Sequence, residues 1–235
     1  MNWMIKFRNA YEMHGHALQR HIFSKQTQYQ YVEIADTYNY GRVLILDGVP
    51  QSSQADEFIY HESIVHPALC SHPDPHDVLI IGGGEGAVLR EVLKHSTIQK
   101  VTMVDIDREL VDISRKYLQD WHQGAFDDPR VQLLFEDGRS YLQVNLERFD
   151  CIILDLSDPF EGSPATRLFT LEFYKLVQTA LRETGILALQ AECGALKHSD
   201  EHFRIIKTLK QVFLSVLPYY CLLYTSPSPR DRQKS

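Results

Sequence analysis

From residue 77 onward, five short runs of aliphatic and β-branched residues recur: DVLIIG, KVTMVDID, VQLLFED, FDCIILDLSD and GILALQAE. Amphipathic stretches of roughly ten or more residues separate them. Runs of this length suit strands, and the stretches between them suit helices that carry the chain back across a sheet. Strands alternating with helices predict an α/β fold with a mostly parallel sheet covered on both faces.

The N-terminal part is patterned differently. Within residues 17–55, YQYVEIAD and GRVLILDGVPQ roughly alternate apolar with polar residues between turn signals at Asn39-Tyr40-Gly41 and Asp47-Gly48, which predicts a small β-rich unit. From Asp56 to Leu69, the positions Phe58, Ile64, Val65 and Leu69 fit a helix that the two prolines of HPDPHD end. The expected organisation is a β domain over 1–55, a linking helix and loop over 56–76, and a catalytic α/β domain over 77–224. Residues 225–235, TSPSPRDRQKS, carry no apolar period and are expected to be disordered. They resemble translated adapter sequence, so the expectation is that a native chain continued beyond about Tyr220 and was replaced.

A 235-residue chain with 44% hydrophobic residues supports one large core with a smaller satellite. Apolar runs stop at about eight residues, too short for a membrane span, and no basic-then-apolar leader opens the chain. Four cysteines lie far apart with no C-x-x-C pair, which argues against a zinc knot or disulfide framework and for a reduced, cytoplasmic setting. A formal charge of −7 with scattered Lys and Arg leaves no basic face for nucleic acid and favours a small cation.

The stretch LIIGGGEGAVLREVLKH places Gly82, Gly83, Gly84 and Gly86 between a strand and a helix, with Glu85 among them. Such a hinge lets a ligand approach the backbone. An acid about 20 residues on, here Asp105 at the end of VTMVDID, suits ribose hydroxyls. A dinucleotide and an adenosyl sulfonium both fit so far. Glu85 would repel a diphosphate, and Asp137 in EDGRSY offers an acceptor to an adenine amino group, so the balance tips to the sulfonium. After the fourth strand, CIILDLSDPFEGSP puts Asp155 and Asp158 on the same rim. With Glu85 they make three acids around one pocket, expected to persist only if a cation offsets their repulsion. A lone D-x-x-D would merely shape a turn; the hinge and Asp105 beside it favour a site.

The series YQ, LDGVPQ, DEFIYHE, GGGEGAVLREVLKH, VDID, EDGRSYL, DLSDP and LFTLEFY, over about residues 27–220, resembles the polyamine aminopropyltransferases, the spermidine synthase family. The resemblance implies a small N-terminal β domain before a methyltransferase-like Rossmann domain. It also implies transfer of an aminopropyl group from decarboxylated S-adenosylmethionine, a co-substrate, to an amine, with release of methylthioadenosine and no metal. By similarity, Gln30, Gly82, Gly84, Asp105, Asp137, Gly138 and Pro164 would hold the nucleoside. Gln51 and Tyr60 would line the acceptor channel, His61, Glu85 and Asp158 would bind amino groups, and Asp155 would accept the proton. The family's habit is a homodimer or homotetramer built partly through the β domain.

Two departures bear on the acceptor. Glu85 stands where putrescine-using members typically carry Asp, and DPFEGSP is two residues longer between its prolines than the common DPxGP. Together with DWHQGAFDDPR, residues 120–130, they resemble thermospermine-type and agmatine-accepting members, which favours agmatine or a triamine over putrescine. A small-molecule methyltransferase and a non-catalytic polyamine-binding homologue are the alternatives. Members of the family continue with a tyrosine-bearing loop and a final antiparallel strand, so the run near Leu217–Leu223 is expected to be a strand lacking its edge partner. The histidines of HGH and CSHPDPH lack the second half of a ligand set, and Trp121 and Phe126 read as packing or lid residues.

Overall fold

The computed structural model describes residues 2–9, 12–145, 148–157, 164–191, 200–221 and 223. Five antiparallel strands come first: β1 (Asn2–Asn9), β2 (Glu12–Gln26), β3 (Tyr31–Thr37), β4 (Gly41–Leu46) and β5 (Val49–Ser53), paired in chain order. Asp47 and Gly48, with φ of 50° and 75°, close the β4–β5 hairpin, as an Asp-Gly pair favours when both turn residues need positive φ. Alternation then separates the faces. Val32, Ile34 and Leu44 turn toward the rest of the molecule, while Ala35, Val43 and Ile45 pack on the opposite side.

Helix α1 (Glu57–Ser71) leads into the second sheet, made of β6 (Asp77–Gly82), β7 (Lys100–Asp105), β8 (Val131–Phe135), β9 (Phe149–Asp155) and β10 (Leu181–Leu189). All four pairings are parallel, in the order β10-β9-β6-β7-β8. Between them run α2 (Ala87–Leu93), α3 (Arg108–Tyr117), α4 (Gln119–His122), α5 (Gly138–Val144) and α6 (Leu171–Ala180), with α7 (Asp200–Leu209) after β10. Successive strand residues face opposite ways. Ile80 and Ile153 meet Ile64, Val65 and Val88 of α1 and α2, whereas Leu79, Ile81 and Ile152 meet Tyr141, Phe173 and Val177 of α5 and α6. The chain reverses direction across the sheet between β6 and β9, and ligands of open α/β sheets bind outside the carboxyl ends at such a switch point.

Three expectations change. The strands begin at Asn2, ahead of the alternating stretch read from residue 17. Helix α1 passes Leu69 and tolerates Pro67, whose missing N–H frees the Ser63 carbonyl to accept the Tyr219 hydroxyl at 2.7 Å. None of residues 213–221 is in a strand, and Leu217 and Tyr220 lie exposed there; no strand among the described residues lies alongside to offer that run a ladder. The tail from residue 224 lies outside the described residues. Among those described, no helix is long and apolar enough to cross a membrane.

Candidate active site

The glycine hinge is shaped by what presses on it. Gly82 pairs in register with Asp155 at the ends of β6 and β9, at φ +85°, and a Cβ there would stand 2.1 Å from the Asp155 carbonyl oxygen. The next amide, Gly83, donates to that same oxygen at 3.0 Å. At Gly84 a Cβ would fall 2.9 Å from Asp105 Oδ2. Side chains at these positions would push both strand-end acids away, so the hinge gathers the carboxylates of β7 and β9 around the start of α2.

Tyr60, His61, Glu85 and Asp155 form one cluster, with His61 and Glu85 buried and Tyr60 and Asp155 partly so. The Tyr60 hydroxyl donates to Asp155 Oδ1 at 2.5 Å. His61, fully buried, donates from Nδ1 to Glu57 Oε2 at 2.7 Å, and its Nε2 stands 2.6 Å from Glu85 Oε1, a charge contact outside hydrogen-bond geometry. Burial alone favours the neutral ring. Glu85 and Glu57 overcome it and hold His61 up to about 10, so the ring is an imidazolium at neutral pH. Burial pushes the Asp155 carboxyl up; His61 opposes that, Glu85 adds to it, and the Tyr60 hydroxyl opposes it, with a net rise. The expectation that these acids need an outside cation is corrected in part: His61 already supplies one positive charge. His61 thus bridges the Glu57 and Glu85 carboxylates.

The side of the cluster where the sequence led us to expect a nucleoside is organised by Asp107, which the sequence reading passed over. Its carboxylate caps α3 by accepting from the Glu109 and Leu110 amides. It also accepts from Thr27 Oγ1 at 2.7 Å and Gln30 Nε2 at 3.0 Å, and its own amide donates to Asp105 Oδ1 at 2.8 Å. Gln30 and Asp105 are therefore brought together through Asp107. Burial pushes Asp105 up to about 7, with Asp107 and Asp155 adding to the rise against backbone donors. The Glu136 amide donates to the Asp105 carbonyl, which sets Asp137 beside the β7 tip, where it caps α5 through the Ser140 amide at 2.7 Å. Gly138 has a packing reason as well, since a Cβ would meet Ile81 Cγ2 at 2.4 Å. Pro164 opens a 3-10 turn over Pro164–Leu168.

Gln51 does not join the cluster: it is exposed at an irregularity of β5 and donates to the Val49 carbonyl. Asp158 and the rest of the 158–163 loop lie outside the described residues. Three residues that the sequence did not flag complete the cluster. Ser52 donates to Glu85 Oε2 at 2.6 Å and accepts from Trp121 Nε1 at 3.0 Å, while Arg90 grips both Glu57 oxygens at 2.9 and 3.0 Å. Trp121 and Phe126 are buried packing residues. Elsewhere Glu62, His66 and Glu91 draw together, and the Glu91 charge is already paired there with Lys94 and Arg90.

Residues 57–229 match the spermine/spermidine synthase domain, and residues 2–54 match the spermidine synthase tetramerisation domain. The chain belongs to the spermine/spermidine synthase family. It is 47% identical over 217 residues to polyamine aminopropyltransferase 2 of Pseudomonas aeruginosa, covering 92% of this chain and 62% of that protein. It is 47% identical over 216 residues to the polyamine aminopropyltransferase of Sulfurisphaera tokodaii, covering 92% of this chain and 71% of the relative. Its fold superposes on a spermidine synthase in complex with the transition state analogue AdoDATO with a TM-score of 0.86 at 33% identity, covering 91% of this chain and 72% of the other. The spermidine synthase of Thermotoga maritima gives a TM-score of 0.84 at 32% identity, over 92% and 72%. In this member of the family the two matched segments meet at the cluster: Ser52 comes from the first and Glu85 from the second.

Proposed function

We propose that the chain transfers an aminopropyl group from decarboxylated S-adenosylmethionine to an amine. The observation that carries this is the meeting of Tyr60, His61, Glu85 and Asp155 at the β6–β9 switch point, beside Asp105. The amine lone pair would form a bond to the methylene carbon on sulfur, the C–S bond would break with its electron pair to sulfur, and methylthioadenosine would leave. Asp155 would take the proton that the nitrogen loses. An alkylamine with an ordinary pKa near 10.4 needs about 4 to 5 kcal/mol to free its lone pair at pH 7. Burial raises Asp155, which makes it a better acceptor than an ordinary carboxylate as the N–C bond forms. Holding nitrogen in line with the methylene supplies several kcal/mol more.

Asp105 would take the ribose hydroxyls, Asp137 the adenine edge and Gln30 the nucleoside from the N-terminal sheet, with Gly82, Gly84, Gly138 and Pro164 shaping its seat. Glu85 and Asp158 would hold the amino groups. Glu85, longer by a methylene than Asp, favours agmatine or a triamine. The reaction would run in the cytoplasm, in a dimer or tetramer formed through the matched tetramerisation segment. The test is decarboxylated S-adenosylmethionine with putrescine, agmatine, spermidine or cadaverine, read as methylthioadenosine release and product mass. Methyl transfer from intact S-adenosylmethionine, or binding of amines with no turnover, would reject the reading.

A further inference from the structure

Six buried side chains form a closed circuit around the amine end of the site. Arg90 of α2 grips Glu57; Glu57 accepts from His61 Nδ1; His61 Nε2 abuts Glu85; Glu85 accepts from Ser52; Ser52 accepts from Trp121; and Arg90 Nη1 returns to the Trp121 carbonyl at 2.7 Å. None of the six is more than 9% exposed. Around His61 the facing titratable groups are Glu57 and Tyr60 from α1, Glu85 from the hinge and Asp155 from β9. Arg90 is neutralised in turn by Glu57 and Glu91.

We propose that Glu57, clamped by Arg90, is a positioning residue for the transfer: it fixes His61 as an imidazolium against Glu85, and that fixed charge eases proton loss from the amine bound at Asp155. The inference rests on the aminopropyl-transfer reading and adds a residue that touches neither substrate. The ring keeps its proton throughout; the proton released by nitrogen goes to Asp155. A positive charge within a few ångströms disfavours a protonated amine, by roughly one to three pH units. A neutral ring would leave Glu85 and Asp155 to stabilise the ammonium instead. Glu57 holds its own charge because His61 and Arg90 outweigh the burial that opposes it.

The test compares Glu57→Gln and Glu57→Asp with the unmutated protein across pH, using the best acceptor. In Glu57→Gln the acid limb of kcat should move up by about one to two pH units, with a 10- to 100-fold loss near pH 7 that recovers in alkali, while the donor KM holds. Glu57→Asp keeps the charge and should keep the limb in place even if kcat falls. A uniform loss across pH, or no change, overturns the proposal. If Glu57→Gln does not fold, imidazole NMR on the unmutated protein decides: His61 should stay doubly protonated to about pH 9, and a ring titrating near its ordinary 6.5 overturns the idea. Turnover with an unmoved limb sinks this proposal alone. No turnover with any amine sinks the transfer reading and this with it.

Discussion

Asp105 is buried and Asp155 partly so, and burial raises both carboxyls, yet their neighbours prepare them for different work. Among the described residues Asp105 receives backbone donors and no cation, and sits at about 7. If ribose hydroxyls donate to it, the carboxylate is favoured and its proton is expelled. Titration calorimetry near pH 7 with methylthioadenosine, in buffers of different ionisation heat, should therefore show net proton release; equal heats would remove Asp105 from the nucleoside contact. Asp155 faces the Tyr60 hydroxyl and the His61 imidazolium. Asp155→Asn keeps the shape and removes the base, so kcat should fall at least about 100-fold while nucleoside affinity holds within about twofold. Unchanged turnover rejects the assigned role. At this scale the sequence showed the acids standing on strand ends, because a strand followed by Asp is a local pattern. It hid Glu57 and Arg90, whose meaning lies in partners 33 residues apart. Arg90 and Glu91 resemble the wet face of an amphipathic helix, yet residues 87–92 of α2 are all buried.

Among elements, the β6 end tolerates least. Gly82→Ala meets both a left-handed backbone and the Asp155 carbonyl at 2.1 Å, whereas Gly48→Ala, at φ +75°, has nothing within 4 Å. Urea unfolding should show Gly48→Ala costing about 1 kcal/mol and Gly82→Ala about 3 kcal/mol or more. Equal losses would mean that the hinge yields and the close approach does not matter. The five parallel strands were legible because each holds a short apolar run, the pattern of a parallel sheet packed between helices. The β1–β2 ribbon was not, because its first strand lacks alternation and gains order from its antiparallel partner. The run near Leu217–Leu223 has strand-like residues, but composition cannot say whether a neighbour exists to pair with.

For the whole molecule, the raised groups make stability fall as pH rises, His61, Asp105 and Asp155 among them. His61 is raised from 6.5 to about 10, so the stability it adds is complete below 6.5 and lost toward 10; Asp105, raised from 3.8 to about 7, loses its share over that lower window. Glu57 and Asp150 are held low, each by partners that outweigh burial, and lose theirs only in acid. Calorimetry should place the highest Tm on the acid side of neutrality, with a drop on the order of 5–10 °C between pH 6.5 and 10 that Glu57→Gln flattens. A Tm that rises over that range contradicts the charged ring.

The chain has two tryptophans, Trp3 more than half exposed and Trp121 sealed with its indole nitrogen on Ser52. Their emission colours therefore differ: the red-shifted light belongs to Trp3, and the blue-shifted light to Trp121. Parting the sheet that carries Ser52 from the hinge that carries Glu85 would wet only the second ring. The molecule thus holds an intrinsic optical gauge of its own closure, readable without any added dye.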